Sequence, residues 1–295
     1  MTTVSVIGGS GVYAVEGLTG VKEHQIQTPF GSPSDAVVEG YLGATRLLFL
    51  ARHGKKHSLL PSEVNSRANI WALKSLGAEW CIGITAVGSL REELSPGMVV
   101  VPDQILDRTR NRPSTFFGRG LVAHVSFGTP YCPVLRQIVF ETATRVHPGK
   151  AHNLGTYVCM EGPAFSTRAE SEMYRTLGGA VIGMTALPEA KLAREAEISY
   201  TSLCLVTDYD CWRAHEEEVD VHDVVTVLKA NSNLAKEIVK SALPLIEKAT
   251  PSRHARHALD NAILSDIGAI PPDTLVSLEP ILRRRLNLKP QPTAV

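Results

Sequence analysis

The chain has 295 residues, 44% of them hydrophobic and 20% charged, and its 30 basic and 30 acidic residues balance to a formal net charge of zero. This length is enough to bury a sizeable core in one large domain or two small ones. A balanced charge gives no electrostatic reason to expect nucleic acid or an anionic membrane as partner. The chain has no apolar run long enough for a membrane span and no signal-peptide pattern at its start. We therefore expect a cytosolic protein.

The cysteines favour the same compartment. They are odd in number and widely spaced, which indicates free thiols rather than a disulfide framework. They are Cys81, Cys132, Cys159, Cys204 and Cys211. No pair of them has the spacing of a zinc site.

In chain order, apolar strands alternate with amphipathic helices. Residues 3–8 predict a strand that ends in the Gly8–Gly11 turn, and residues 46–51 predict a second strand that ends in Arg52-His53. A helix is predicted from Pro61 to Gly77. Further strands are predicted at 80–85, 98–102, 157–160, 180–184 and 198–208, and further helices at 168–177, at 187–196 and from Val221 onwards.

This alternation predicts an α/β fold. We expect a single domain with a central, mostly parallel mixed β-sheet flanked by helices. Residues 1–250 are expected to form its body, and residues 251–295 a helical C-terminal extension of the same domain with a frayed end. We expect the Arg283–Arg285 run to be a solvated helix face.

Polar or glycine-rich residues follow five of the predicted strands, and ligands of α/β sheets gather beyond the carboxyl ends of strands. These clusters are Gly9-Ser10-Gly11, Arg52-His53, Thr85-Ala86, Met184-Thr185 and Asp208-Tyr209-Asp210. Each cluster alone is equally consistent with a turn, a surface feature or a helix cap. Together they predict a ligand site at one edge of the sheet.

Four of the clusters carry groups that bind anions. The hydroxyls of Ser10, Thr85 and Thr185, the Arg52 guanidinium and the His53 ring could surround a phosphate. The glycine turn matches neither a Walker loop nor the GxGxxG dinucleotide fingerprint.

The fifth cluster contains two acids, Asp208 and Asp210, at alternate positions after a very apolar strand. Side chains two residues apart in extended chain point the same way, so both acids could face one ligand. A carboxyl group at the mouth of an apolar strand tends to have a raised pKa, which suits a general acid. The alternative is that the two acids cap or begin the next segment.

Longer strings of this sequence resemble the trimeric purine nucleoside phosphorylases and, within that group, the S-methyl-5′-thioadenosine phosphorylases. They run in family order over roughly residues 4–246. The strings are VIGGSG (6–11), TPFGSPSD (28–35), ARHGKKH (51–57), NIWALKSLGA (69–78), TAVGSLREEL (85–94), DQILDRTRNRPSTFF (103–117), MEGPAFSTRAESEMYRTLG (160–178), MTALPEAKLAREA (184–196) and TDYDCW (207–212).

The resemblance implies a role for each matching residue. The implied phosphate ligands are Ser10, Arg52, His53, Thr85, Thr185 and the backbone of Ala86. Met184 would contact the ribose, and the base would be bound by Phe165, Ser166, Asp208 (at N7) and Asp210 (at the 6-amino group). The 5′-substituent would be bound by His57, Val221 and Val225, with His124 from the neighbouring subunit. The family fold implied is that of the purine nucleoside phosphorylases.

The resemblance also implies a reaction. We expect phosphorolysis of 5′-methylthioadenosine to adenine and 5-methylthioribose-1-phosphate, with Asp208 as general acid. Phosphate is a co-substrate, and neither a metal nor an organic cofactor is expected. We expect a homotrimer, with a homohexamer as the alternative, and no nucleic-acid or membrane partner.

Alternative functions stay open at this point. One is a broader purine nucleoside phosphorylase that takes adenosine, inosine or methylthioinosine, and another is a nucleosidase that uses water. A non-catalytic nucleoside sensor and a dinucleotide-dependent oxidoreductase are further alternatives. The chain departs from the family pattern at Ser10, which is often Thr, at Val87, which is usually Cys, and in residues 63–69. A short segment between Phe117 and His124 bears on the intersubunit part of the 5′ pocket.

Overall fold

A central sheet of eleven strands organises the protein in a computed structural model that describes residues 1–9, 16–213 and 221–288, without the side chains of 221–231. The strands are β1 (Thr3–Gly8), β2 (Thr19–His24), β3 (Val37–Leu42), β4 (Thr45–Ala51), β5 (Trp80–Ser89), β6 (Val99–Val101), β7 (Gln104–Arg108), β8 (Ala151–Asn153), β9 (Thr156–Met160), β10 (Gly179–Gly183) and β11 (Ser199–Tyr209). The helices are α1 (Ser66–Ser75), α2 (Pro133–Val146), α3 (Arg168–Thr176), α4 (Ala186–Glu195), α5 (Val221–Lys248), α6 (Arg253–Arg256), α7 (Pro272–Ser277) and α8 (Glu279–Leu286).

Strand β5 is the centre of the sheet, because it pairs with β1, β10 and β11. The main path runs β2-β3-β4-β1-β5-β10-β9-β7, and β11 continues from β5 to β6 and β8. Among the described strands six pairings are parallel and four are antiparallel. The predicted mostly parallel mixed sheet flanked by helices is therefore confirmed.

Alternate residues of the buried strands feed two cores, one on each face of the sheet. In β1 the side chain of Val6 joins the core that also holds α5, whereas Ile7 joins the core that holds α1 and α4. Leu47 and Leu48 divide in the same way in β4. This period of two is what a strand covered on both faces requires. No described helix has the combined length and apolar content to cross a membrane.

Several predicted boundaries shift in the structure. Strand β5 runs to Ser89, four residues past its predicted end at Thr85, and these extra residues border the candidate site. Helix α1 begins at Ser66 rather than near Pro61, because the Asn65 side chain accepts a hydrogen bond from Ala68 N as a cap. The sequence analysis did not predict β2, β3, β7, β8 or α2. Strand β2 (TGVKEH) is almost wholly exposed, so it lacks the apolar alternation that identifies a strand.

The described part of the C-terminal segment packs on the body of the protein. Ile281 and Leu282 of α8 are buried in the same core as α1 and α4. The arginine run at 283–285 is partly exposed, as expected for a solvated helix face, but its side chains also bind neighbouring groups. Arg284 binds the buried carboxylate of Glu197 at 2.5 and 2.6 Å, because a buried charge needs a counterion. Arg283 and Arg285 are also hydrogen-bonded, to Glu279 and to the Leu259 carbonyl.

Candidate active site

The carboxyl ends of four parallel strands lie along one edge of the sheet. Strand β1 pairs in parallel with β4 and β5, and β5 pairs in parallel with β11. Gly8 lies opposite Ala51, the residue before Arg52, and Gly88 lies opposite Asp208. The sheet therefore places Arg52 and Asp208, which are 156 residues apart in sequence, on the same edge.

Thr85 and Thr185 meet although their strands run in opposite directions. Strand β10 is antiparallel to β5, with Ile182 opposite Gly88. Continuing that register by three residues on each strand places Thr185 opposite Thr85. Their hydroxyl oxygens are 2.9 Å apart, and the Thr85 hydroxyl is 3.4 Å from that of Tyr157. Two of the predicted phosphate hydroxyls are thus adjacent.

The Arg52 guanidinium is buried and already occupied by protein groups. Its Nε and Nη2 atoms donate to the two carboxylate oxygens of Glu189 at 2.5 and 3.1 Å. Its Nη1 donates to Ile84 O at 2.9 Å and its Nη2 also donates to Ile7 O at 3.3 Å. Four of its five N–H groups are used, so it can offer one N–H to a ligand rather than a two-pronged fork.

Glu189 balances the charge of this buried arginine. Burial alone lowers the pKa of Arg52, but the charge and hydrogen bonds of Glu189 outweigh it and hold that pKa above its ordinary value. Glu189 also accepts a hydrogen bond from the hydroxyl of Tyr200 at 3.1 Å. The arginine is therefore fixed in position before any anion arrives.

His53 is a neutral ring at physiological pH. Burial and then the charge of Arg52 lower its pKa to about 4. Its Nδ1 lies 2.8 Å from the Leu59 carbonyl, so the single proton of the neutral ring resides on Nδ1 and Nε2 is an acceptor. The ring also packs against that of His57, with 4.6 Å between centroids.

The two acids lie on the same side of the sheet, next to Gly88. A Cβ atom added to Gly88 would be 2.9 Å from Asp208 Oδ1 and 3.4 Å from Asp210 Cβ. Glycine is thus what lets both carboxyl groups approach β5. Asp208 accepts a hydrogen bond from the Thr207 hydroxyl at 2.7 Å.

Both acids have pKa values above the ordinary range. Burial is the main cause for each, and the charge of Asp210 further raises the pKa of Asp208, while the Thr207 hydrogen bond opposes the rise. Asp210 is only 4% exposed, and no group in the described ranges donates a hydrogen bond to its Oδ2 atom. The site therefore combines a carboxyl that favours its proton with a buried acceptor that lacks a donor.

The loop at 162–166 lies between Met184 and the acids. Gly162 has a φ of +72°, and a Cβ atom there would be 2.5 Å from the Met184 sulfur. At the other end of the loop, the Ser166 carbonyl accepts a hydrogen bond from the Cys211 thiol at 3.1 Å. Phe165 between them is 42% exposed.

The remaining predicted residues are His124, Ser10, Val221 and Val225. His124 lines a separate open cavity of about 490 Å³ together with Phe117, Lys191 and Glu195. Its predicted role concerns a neighbouring subunit. Ser10 lies outside the described residues, as do the side chains of Val221 and Val225.

Some residues of the site were missed by the sequence analysis: Glu189, Tyr157, Tyr200, Thr207 and Arg112. Two glycines within strands could have indicated the tyrosines, because glycine in a strand often marks a place where another group approaches the backbone closely. A Cβ at Gly83 would be 2.2 Å from the Tyr200 oxygen, and one at Gly183 would be 2.1 Å from the Tyr157 oxygen. For Glu189 the signal was an acid on an otherwise apolar face of the predicted helix at 187–196.

Comparison with known proteins identifies the family of the chain. Residues 3–244 match the family model described as the phosphorylase superfamily. An S-methyl-5′-thioadenosine phosphorylase of Thermosynechococcus vestitus is 49% identical over 96% of this chain and 99% of its own length. A crystal structure of a methylthioadenosine phosphorylase from an antarctic soil metagenomic library has a TM-score of 0.89 and 44% identity, covering 95% of this chain and 99% of its own. The methylthioadenosine phosphorylase of Schistosoma mansoni in complex with adenine has a TM-score of 0.82 and 37% identity, covering 88% and 96%. The chain therefore belongs to the phosphorylase superfamily and, within it, to the S-methyl-5′-thioadenosine phosphorylase family.

Proposed function

We propose that this protein catalyses phosphorolysis of S-methyl-5′-thioadenosine, which yields adenine and 5-methylthioribose-1-phosphate. The observation that carries the proposal is the pair of buried acids beside Gly88, on the sheet edge that also holds the Thr85–Thr185 hydroxyl pair. The end of this edge that holds the two acids suits a purine, and the end that holds the hydroxyl pair suits an anion. The names of the relatives and the adenine bound by the Schistosoma mansoni enzyme support the same assignment.

In the proposed reaction Asp208 acts on the leaving base. As the glycosidic bond breaks, its electron pair moves into the purine and the proton of Asp208 passes to N7. A phosphate oxygen forms the new bond to C1′ from the opposite face, and its negative charge favours the developing oxocarbenium ion. Burial of Asp208 supports this role because it keeps the carboxyl protonated at higher pH than an ordinary aspartate.

The phosphate lies, in this proposal, between the glycine turn and the hydroxyl pair. Thr85, Thr185, the backbone of Ala86 and the remaining N–H of Arg52 donate to it, with Ser10 from the glycine turn. His53 accepts rather than donates at neutral pH, since its proton faces Leu59. It therefore binds the protonated oxygen of hydrogen phosphate and orients the unprotonated oxygens toward the donors and C1′.

Asp210 selects a 6-aminopurine. Its Oδ2 atom is buried without a donor among the described residues, and a 6-amino group supplies one. A 6-oxo base would instead place a carbonyl against the carboxylate. We expect Asp210→Asn to shift the ratio of adenosine-type to inosine-type turnover toward inosine by about tenfold to a hundredfold. An unchanged ratio would contradict this assignment.

The remaining contacts extend the proposal to the ribose and the 5′-substituent. Met184 faces the ribose, Phe165 and Ser166 line the base, and His57 borders the methylthio group, together with Val221 and Val225. His124 of a second copy completes that pocket, so we propose a homotrimer. Inorganic phosphate is the only co-reactant in this reaction, which requires no cofactor. The five free cysteines agree with a cytoplasmic location.

A substrate panel tests the proposal. Methylthioadenosine, adenosine and inosine are incubated with and without phosphate, and the release of free base is followed. We expect rapid adenine release from methylthioadenosine in phosphate or arsenate, and little reaction with inosine. Equal cleavage in buffer without either anion would indicate a nucleosidase and contradict the proposal. Comparable turnover of all three nucleosides would indicate a broader phosphorylase.

A further inference from the structure

Arg112, which follows β7, uses its whole guanidinium to hold other parts of the chain. Its side chain is 4% exposed. Nε donates to the Glu161 carboxylate at 3.0 Å, and Nη1 donates to Met184 O at 2.6 Å and to Leu187 O at 3.0 Å. Nη2 donates to Glu161 O and, at 3.5 Å, to Met160 O. These five hydrogen bonds use all five N–H groups of the side chain.

The two segments joined by Arg112 serve different parts of the substrate in the proposed function. Met160 and Glu161 lead directly into the 162–166 loop that lines the base. Met184 to Leu187 include the ribose contact and Thr185. A lysine ammonium has three donors on a flexible stem and lacks the planar fork that reaches both segments at once.

We propose that Arg112 is a positioning residue that sets the distance between the purine contacts and the ribose contacts. This inference rests on the proposed function. A nucleoside spans both segments, so its binding depends on their relative placement. Phosphate depends on one segment only, and Thr185 is held independently by its hydrogen bond with Thr85. Loss of Arg112 therefore weakens nucleoside binding more than phosphate binding.

Arg46, at the start of β4, provides a matched control. It donates to the Leu76 carbonyl and, at 2.6 Å, to the Glu39 carboxylate, and these contacts lie away from the strand-end site. In Arg112→Lys we expect the KM for methylthioadenosine to rise about tenfold while the KM for phosphate changes less than about twofold, because a displaced contact segment affects only the ligand that spans it. In Arg46→Lys we expect a lower Tm with both KM values unchanged. Destabilisation alone reduces the active fraction, and hence kcat, without changing KM.

Calorimetry separates failure of this inference from failure of the proposed function. Binding of methylthioadenosine to wild type and Arg112→Lys is measured in phosphate-free buffer. A Kd that does not differ between them overturns the positioning role, even if the wild type is a phosphorylase. No phosphate-dependent cleavage by the wild type overturns the proposed function itself.

A milder variant keeps the test available if Arg112→Lys does not fold. Glu161→Gln neutralises the carboxylate that binds Arg112 Nε and, at 2.7 Å, Arg110 N, and the Glu161 side chain is one-quarter exposed. We expect a rise of about threefold in the KM for the nucleoside and none in the KM for phosphate, since four carbonyl contacts of Arg112 persist. Equal changes in both KM values would overturn the proposal.

Discussion

The two ends of the candidate site differ in how well their polar groups are satisfied. At the anion end, Arg52 is paired with Glu189 and bound to two backbone carbonyls, and Thr85 is bonded to Thr185. At the acid end, Asp210 has a buried oxygen with no donor among the described residues, and both acids have raised pKa values. Most polar groups described at the anion end are satisfied without a ligand, whereas the acid end holds a buried oxygen that is not.

This difference indicates how the free energy of binding is divided. A frame whose hydrogen bonds are already made does not need to reorganise when phosphate arrives. A buried carboxylate oxygen without a donor among the described residues destabilises the empty protein, and a base with an amino group supplies that donor. The anion end thus supplies geometry, and the acid end supplies selectivity and the proton.

The largest expected effect is that of Asp208→Asn, which removes the proposed proton donor from the acid end. We expect kcat/KM to fall by about 100-fold to 10,000-fold, the usual contribution of a general acid. In the wild type, kcat should decline as the pH rises through the raised pKa of Asp208, because the ionised form cannot donate. The residual activity of the variant should lack this decline. A variant that keeps the wild-type pH profile would show that another group supplies the proton.

Disrupting the anion end should lower the stability of the protein more than it lowers the catalytic activity. In Glu189→Gln the buried Arg52 loses its counterion, so we expect the free energy of unfolding to fall by about 3 kcal/mol, as for other broken buried ion pairs. Phosphate then becomes the nearest available anion. We expect added phosphate to raise the Tm of this variant by more than it raises that of the wild type.

Glu39→Gln is the control for this prediction. Glu39 is also buried and bound to an arginine, Arg46, at 2.6 Å, but on strands β3 and β4 away from the strand-end site. It should lose stability without any change in the response to phosphate. If the two variants respond equally to phosphate, Arg52 does not face the anion.

The sequence predicted the residues at the strand ends better than it predicted what holds them. Apolar runs identify buried strands, and the residues that follow them are then known, so Arg52, Thr85 and Asp208 were found. Glu189 contacts Arg52, 137 positions away, and Arg112 contacts residues 48 to 75 positions away. No local pattern encodes such pairings. The antiparallel register that joins Thr85 to Thr185 depends on the direction of β10, which periodicity does not specify.

The smallest expected effect concerns the unmet acceptor itself. Burial raises the folded-state pKa of Asp210, so folding favours its protonated form. Its contribution to stability is therefore present below the unfolded-state pKa and is lost as the pH rises through the raised folded-state value. Asparagine does not titrate. We therefore expect the free energy of unfolding of Asp210→Asn, relative to that of the wild type, to be about 1 kcal/mol higher at pH 8 than at pH 5. This is the lower end of the range for an unsatisfied buried acceptor.

Asp107→Asn should show no such gain between pH 5 and pH 8, which makes it the matched control. Burial raises the pKa of Asp107, but hydrogen bonds from Lys191, at 2.6 Å, and from Thr109 outweigh burial and lower it overall. Ionised Asp107 stabilises the protein at any pH above the unfolded-state pKa. Removing it in the variant therefore lowers the stability as much at pH 8 as at pH 5. Urea unfolding of both variants at the two pH values, repeated with adenine, measures the contrast. Adenine should stabilise the wild type more than Asp210→Asn, because only the wild type offers the 6-amino group a carboxylate acceptor. If adenine stabilises both proteins equally, the 6-amino group is bound elsewhere and Asp210 does not select the base.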